Sequence, residues 1–293
     1  MRLKERLDIY EKLMRLDKPI GILLLLWPTL WGLWLSSLGS PNPFVVVIFV
    51  IGVVLMRSAG CVINDYADRE FDRHVERTRD RPLAARRIST REALLLAGVL
   101  ALLSFVLVLQ LNWLTIKLSM IALVLAVIYP FLKRVFWLPQ AWLGIAFGFG
   151  IPMAFAAHQN HVVPLAWILV LANVFWAVAY DTEYAMVDRD DDIKLGLKSS
   201  AILFGRFDVL AVMTCHALFL LCMAYVGYAA RCGIFYFSGL VLAGFIAAFQ
   251  YLLIRDRRRE NCFKAFRLNN LVGAVIWAGI VIEFFLRIPL FRA

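Results

Sequence analysis

The chain has 293 residues, of which 62% are hydrophobic, 14% aromatic and only 18% charged, with a formal net charge of +10. An ordinary soluble domain is about 45–50% apolar and about 25% charged, so this composition excludes a soluble globule and points to a chain solvated by lipid. In that setting the basic excess belongs to loops that orient the chain and meet anionic lipid, not to a nucleic-acid surface.

Residues 1–19 carry both charge signs and place Leu3, Leu7, Tyr10 and Leu13 at helical spacing, which predicts an amphipathic helix lying on the membrane. No small-residue cleavage site follows the first apolar run, so no cleaved leader is expected. Apolar runs then occupy about 20–38, 44–63, 92–110, 114–132, 139–157, 162–181, 208–229, 233–254 and 268–288. Several approach the roughly 20 residues that cross a hydrocarbon core, and none alternates as a barrel strand does. The expected fold is therefore all-α, a polytopic membrane protein of about nine transmembrane helices.

The connectors sort by charge. Those near 39–43, 110–113 and 158–161 hold no Lys or Arg, and that near 230–232 holds only Arg231. Most of the positive charge falls in 1–19, 64–91, 133–138, 182–206 and 255–267. Alternation of this kind predicts a cytoplasmic N-terminus and an external C-terminus. No linker divides the chain, so 1–293 is expected to be a single membrane domain in a bacterial-type inner membrane. The five cysteines (Cys61, Cys215, Cys222, Cys232, Cys262) form no CxxC pair, and the four histidines show no ligand spacing. Neither a disulfide framework nor a His/Cys metal site is expected.

Two of the cytoplasmic segments are unusual. "CVINDYADREFDRHVERTRDRP", residues 61–82, and "YDTEYAMVDRDDDIKLGLKS", residues 180–199, each follow an apolar run and each set carboxylates before basic residues. Asp68 and Asp72 have counterparts about 120 residues on, at Asp188 and Asp192, a hint of internal duplication. Asn64, Asp68 and Asp72 stand at i, i+4 and i+8, with Arg57 seven residues earlier; if the helix continues past residue 63, all share one face. Asp181, Asp188 and Asp192 follow the same register, with Tyr184 between them.

Like charges so spaced repel, and near lipid the cost rises, so something cationic must neutralise them. A network of Lys and Arg is one solution. Mg²⁺ is the other: it takes hard oxygen ligands, retains water and shares its sites with phosphate oxygens. Two acid clusters, with Asn64, Asp68, Asp72, Asp188 and Asp192 as candidate ligands, can hold metal against one diphosphate. Arg77, Arg81, Lys194 and Lys198, together with Arg57, Lys133 and Arg134, then serve as candidate phosphate contacts.

A diphosphate at the inner end of oily helices is expected to trail a hydrocarbon tail, which makes polyprenyl diphosphate the natural substrate. Metal-assisted loss of diphosphate leaves an allylic cation, for which Tyr129, Phe147, Phe149, Trp176 and Tyr180 are candidate stabilisers. A cation transporter is the alternative from another class. However, the acids gather at one membrane face, with no set at midplane. No DGxxAR signature of a phosphatidyl-alcohol transferase is present.

"NDYADREFD" resembles the NDxxDxxxD motif of the intramembrane aromatic prenyltransferases, "ERTRDRP" their RTxxRP element, and residues 180–199 their second aspartate-rich motif. "RLDKPIGILLLLWPTLWGLW" and "LPQAWLGIAFGFGIPMAFAA" look like the 4-hydroxybenzoate polyprenyltransferases of ubiquinone synthesis. The resemblance implies nine helices around a central cavity open sideways to lipid. It also implies Mg²⁺-dependent transfer of a polyprenyl group to C3 of 4-hydroxybenzoate; no obligate protein partner is expected. Carried over, Asn64, Asp68 and Asp72 match one metal–diphosphate motif, and Asp188 and Asp192 match the other, with Asp191 adjacent. Asp191 or the departing diphosphate is the base for the ring proton. Arg134 matches a basic active-site residue, and Arg134 or Arg57 anchors the acceptor's carboxylate. The motifs leave a naphthoate, homogentisate or haem acceptor open; the family-wide match favours 4-hydroxybenzoate.

Overall fold

A computed structural model describes residues 3–74, 78–132, 136–196 and 198–287, and every regular element among them is helical. Helix α1 (Leu3–Met14) precedes α2 (Ile20–Ser36). The Asn42 side chain then accepts a hydrogen bond from the Phe44 amide at 2.9 Å, and Pro43 fills a first position whose N–H is not needed. From this start α3 (Pro43–Asp72) runs 30 residues. Ser89 caps α4 (Thr90–Val108) by accepting from the Glu92 amide, and Asn112 caps α5 (Trp113–Leu132) by accepting from Thr115. A broken pair follows, α6 (Pro139–Gly148) and α7 (Gly150–Gln159), then α8 (Pro164–Leu195), which ends at the left-handed Gly196. Short α9 (Ser200–Phe204) and a 3₁₀ turn lead into α10 (Asp208–Ala229), α11 (Ile234–Ile254) and α12 (Arg259–Arg287).

Eight of these helical segments, α6 and α7 counted together, are long and apolar enough to cross a membrane, and the 17-residue α2 is a shorter apolar ninth. Their outward stripes, such as Leu95, Leu102 and Val106 on α4 and Val241, Phe245 and Leu252 on α11, are exposed to what would be lipid. Three helices exceed their predicted spans: α3 passes residue 63, α8 passes 181, and α12 starts at 259. Hydropathy marks where lipid ends, whereas the backbone ladder continues for as long as its hydrogen bonds are satisfied. The 139–157 run is two helices because Gly148, Gly150 and Pro152 crowd the joint at Phe149.

The interior centres on aromatic rings. Trp176 of α8 meets Trp31 of α2 at 5.2 Å, stacks on Phe219 of α10 at 5.6 Å and makes an edge contact with Tyr180 at 5.3 Å. Small residues allow close crossings. A Cβ on Gly144 of α6 would lie 2.6 Å from the Val174 Cα of α8, and buried Asn173 uses that gap to donate to the Gly144 carbonyl at 2.8 Å. Gly144→Ala must push two backbones apart, so it is expected to destabilise by about 1–3 kcal/mol, as overpacking does; thermal unfolding in detergent measures this. An unchanged midpoint would mean that the crossing is loose.

Helix α1 lies on α3 and the foot of α4, burying Ile9 and Leu13 against Val62, Leu83, Ile88 and Ala93. On the protein side Leu13 is buried, Tyr10 is half-buried and Ile9 joins them, while Leu7 is 58% exposed. Tyr10 donates to Glu92 at 2.5 Å.

Candidate active site

A cavity of about 750 Å³ opens among α2, α3, α4, α5, α6, α8 and α12. Its polar end is built from Arg15 and Lys18, which follow α1, from Arg57, Asn64 and Asp65 of α3, from Arg81, and from Asp181 and Tyr184 of α8. Its remaining walls are oily, with Phe49 and Val53 of α3, Phe105 of α4 and Leu123 of α5. The long, continuous α3 and α8 make this possible, since each carries an apolar body and ends in an acid stripe.

Asp65, Asp68 and Asp72 are all buried, at 1%, 6% and 7% exposure. Arg81 is the hub among them, donating to Asp72 at 2.8 Å and to Asp65 at 3.2 Å. Burial pulls its guanidinium down, but the carboxylates of Asp65 and Asp72 outweigh this and hold it above its ordinary value. Arg15 reaches in from the segment after α1 and donates to both oxygens of Asp65, at 2.8 and 3.1 Å, from a left-handed backbone at φ 58°. Asn64 and Asp65 of α3, Tyr129 of α5, and Asp181 and Tyr184 of α8 all line this one cavity.

Two buried polar atoms on the cavity wall have no hydrogen-bond partner: Arg57 Nε and the Tyr180 hydroxyl. Arg57 lies 5.4 Å from the Phe147 ring centroid. An unpartnered buried donor is costly, and a ligand bearing an acceptor would relieve it.

The family model described as UbiA prenyltransferase family matches residues 25–271. The chain belongs to the UbiA prenyltransferase family. Among curated relatives it is 64% identical over 284 residues to the 4-hydroxybenzoate octaprenyltransferase of Azoarcus sp. (strain BH72), covering 97% of this chain and 99% of that one. It is 63% identical to the enzyme of the same name from Dechloromonas aromatica (strain RCB), covering 96% of each. Among solved structures it superimposes on the apo form of a UbiA homolog from Aeropyrum pernix K1 with a TM-score of 0.80 at 27% identity, covering 89% of this chain and 97% of that one. A UbiA homolog from Archaeoglobus fulgidus bound to GPP and Mg²⁺ shares the fold, with a TM-score of 0.71 at 19% identity over 93% of this chain and 99% of that one. The all-α polytopic class expected from composition is thus the UbiA fold, and the resemblance carried by the aspartate motifs holds.

In this UbiA-family chain the predicted residues fall into three groups. Arg57, Asn64, Arg81 and Tyr184 line the cavity, and Asp68 and Asp72 share the buried α3 stripe. Asp188 and Asp192 continue the α8 stripe of Asp181 and Tyr184 at helical spacing. Asp191, one position off that stripe, is turned to Arg259 at 3.4 Å and Lys194 at 3.8 Å. Lys194 is 75% exposed there, and Lys198 sits 4.9 Å over the Trp137 ring. Arg77, Lys133 and Arg134 lie outside the described residues.

Of the aromatic candidates, Tyr129, Phe147 and Tyr180 line the cavity. Trp176 is instead a core residue, donating to Asn269 at 2.9 Å, which in turn donates to Glu183 at 2.8 Å. Phe149 packs beside Trp167. Trp176 faces the bundle because the α8 stripe that meets α10 is not the one that meets the cavity.

Asp65 and Arg15 join the site beyond the residues expected from the motifs. The signal for Asp65 was present, since 65, 68 and 72 stand at i, i+3 and i+7. Among the described residues no three of His, Cys, Asp and Glu gather closely enough to cage an ion unaided. Mg²⁺ commonly takes only one or two carboxylates and fills its shell with water and phosphate oxygens. Hard-oxygen donors on a buried α3 stripe, with cations beside them, fit that mode.

Proposed function

We propose that this UbiA-family enzyme transfers a polyprenyl group from its diphosphate to C3 of 4-hydroxybenzoate, giving 3-polyprenyl-4-hydroxybenzoate and diphosphate on the route to ubiquinone. The observation that carries this reading is the cavity's polarity: acids and arginines at one end, aliphatic and aromatic walls along the rest. A diphosphate ester with a hydrocarbon tail matches that gradient, and the relatives' names supply the octaprenyl donor and the acceptor to test first.

The allylic C–O bond breaks and its electron pair leaves with diphosphate. The acceptor's phenol oxygen pushes density to the ortho carbon, which forms the new C–C bond. A base then takes the displaced ring proton and aromaticity returns. Asn64, Asp68, Asp72, Asp188 and Asp192 are the residues that would hold Mg²⁺, and when bound it offsets the charge growing on the leaving diphosphate. Arg81 orients the α3 carboxylates, and Arg77, Lys133, Arg134, Lys194 and Lys198 are candidates for the phosphate oxygens. The departing diphosphate receives the proton, because Asp191, the other candidate, is turned to Arg259 and Lys194. Oily walls keep water from the cation, with Tyr129, Phe147 and Tyr180 nearest to stabilise it. The whole chain acts as one unit in the inner membrane, with α1 and the acid stripes on the cytoplasmic side.

Arg57 is the proposed anchor for the acceptor's carboxylate. Arg57→Gln is expected to raise KM for 4-hydroxybenzoate by about tenfold, the worth of one charge-assisted hydrogen bond, with the donor's KM little changed. Steady-state kinetics in membranes measure this, and a rise confined to the donor would reassign Arg57 to phosphate. The acceptor itself is tested by competition among 4-hydroxybenzoate, a dihydroxynaphthoate and homogentisate. Preferential prenylation of either of the others would overturn the assignment.

A further inference from the structure

The last turns of α8 carry half of the proposed diphosphate site, yet their described side chains are little buried. Among the described residues, buried apolar positions on α8 stop at Met186, and Ile193 is 57% exposed. A helix end with so little burial is expected to fray, so another force must hold it.

That force is visible on its outer side. Asp208, at the start of α10, has 0% exposure. It accepts from Arg257 Nε at 2.9 and 3.1 Å and Nη2 at 2.7 Å, and from Arg189 of α8 at 3.1 Å. Arg257 lies in the turn between α11 and α12 at φ 54°, a left-handed backbone unusual for a side chain of this size, and it also donates to the Arg206 carbonyl at 2.9 Å. The same turn leads into Arg259, which meets Asp190 at 3.0 Å and Asp191 at 3.4 Å. Three acids and three arginines thus interlock, and they grip consecutive α8 residues 189, 190 and 191. In a helix Asp190 lies about 180° around from the direction midway between Asp188 and Asp192. Gripping one side presents the other to the cavity.

We infer that Asp208 and Arg257 form a clamp, acting through Arg189, that fixes the rotation of α8 so that Asp188 and Asp192 face the diphosphate. They are positioning residues and touch no substrate. The inference rests on the proposed assignment of Asp188 and Asp192 to the diphosphate end.

The test uses the full chain in detergent. Arg189→Gln cuts the link from Asp208 to α8 and leaves the Asp208–Arg257 bond and the Arg259 contacts intact, so the fold should survive. Without metal or substrate, amide exchange over 188–195 is expected to speed up by about tenfold, and Kd for unreactive geranyl thiodiphosphate with Mg²⁺ to rise by a similar factor, the worth of one charge-assisted hydrogen bond. KM for the acceptor and the unfolding midpoint should stay at parental values, and Arg189→Lys should recover part of the loss. Asp208→Asn should reproduce the exchange effect. Parental exchange in Arg189→Gln, faster exchange with an unchanged Kd, or a parallel loss of donor and acceptor affinity with a lowered midpoint would each overturn the clamp. Full turnover in Asp188→Asn would instead defeat the underlying assignment, whatever the exchange data show.

Discussion

Asp68→Asn is expected to lower kcat by at least about 100-fold while the protein still inserts and purifies as a folded species. Loss of an outer-shell partner of a metal site alone costs about 10–100-fold, and a proposed direct ligand should cost no less. The carboxylate is buried on the α3 stripe beside Asp65 and Asp72, where a neutral amide relieves like-charge repulsion. The unfolding midpoint, read beside activity, separates a chemical role from a folding one. Asp188→Asn on the opposing stripe should behave alike, and chelation of Mg²⁺ should bring the parent enzyme to the same floor. Product formation from labelled prenyl diphosphate in membranes reads all three. Near-parental turnover in either variant would remove metal-held diphosphate from the proposal.

Arg81→Ala should show the reverse pattern, with stability falling first. The guanidinium is only 18% exposed and is the shared partner of Asp65 and Asp72. Breaking a buried pair from one side commonly costs about 3–5 kcal/mol, because the remaining charge is left uncompensated. Arg15 still covers Asp65, so the lower end of that range is expected. Both bonds leave one nitrogen, Nη1, so Arg81→Lys restores a charge there and should recover stability better than donor affinity, for which the guanidinium's other donors are lost. Unfolding midpoints with donor KM measure both quantities. An Arg81→Ala protein as stable as the parent would show that Arg15 alone balances the acid stripe.

Much of this architecture was legible in the residues. Runs without alternation gave the helical class, and the spacing of Asn64, Asp68 and Asp72 foretold that α3 would continue beyond the oily run. What stayed hidden depends on contacts between distant segments. Nothing local marks Arg15 as a partner for Asp65 fifty residues on, or Asp208 as the meeting point of two arginines. Trp176 and Tyr180 are four apart on one helix, yet only Tyr180 borders the cavity, because neighbouring α10 and α12 claim Trp176. Asp191 reads as one more acid of a motif until the turn carrying Arg259 is folded against it. Leu7 fits an amphipathic pattern, but the surface that α1 covers is set by α3 and α4.

The bond from Arg15 to Asp65 also bears on biogenesis. Arg15 leaves the ribosome well before Asp65 and Arg81 are synthesised, and the intervening α2 and α3 must fold back on one another as a hairpin before the two ends can meet. The pocket's rim is therefore closed late, by a segment made early, and a nascent chain stalled inside α3 holds the guanidinium but not its counter-ion.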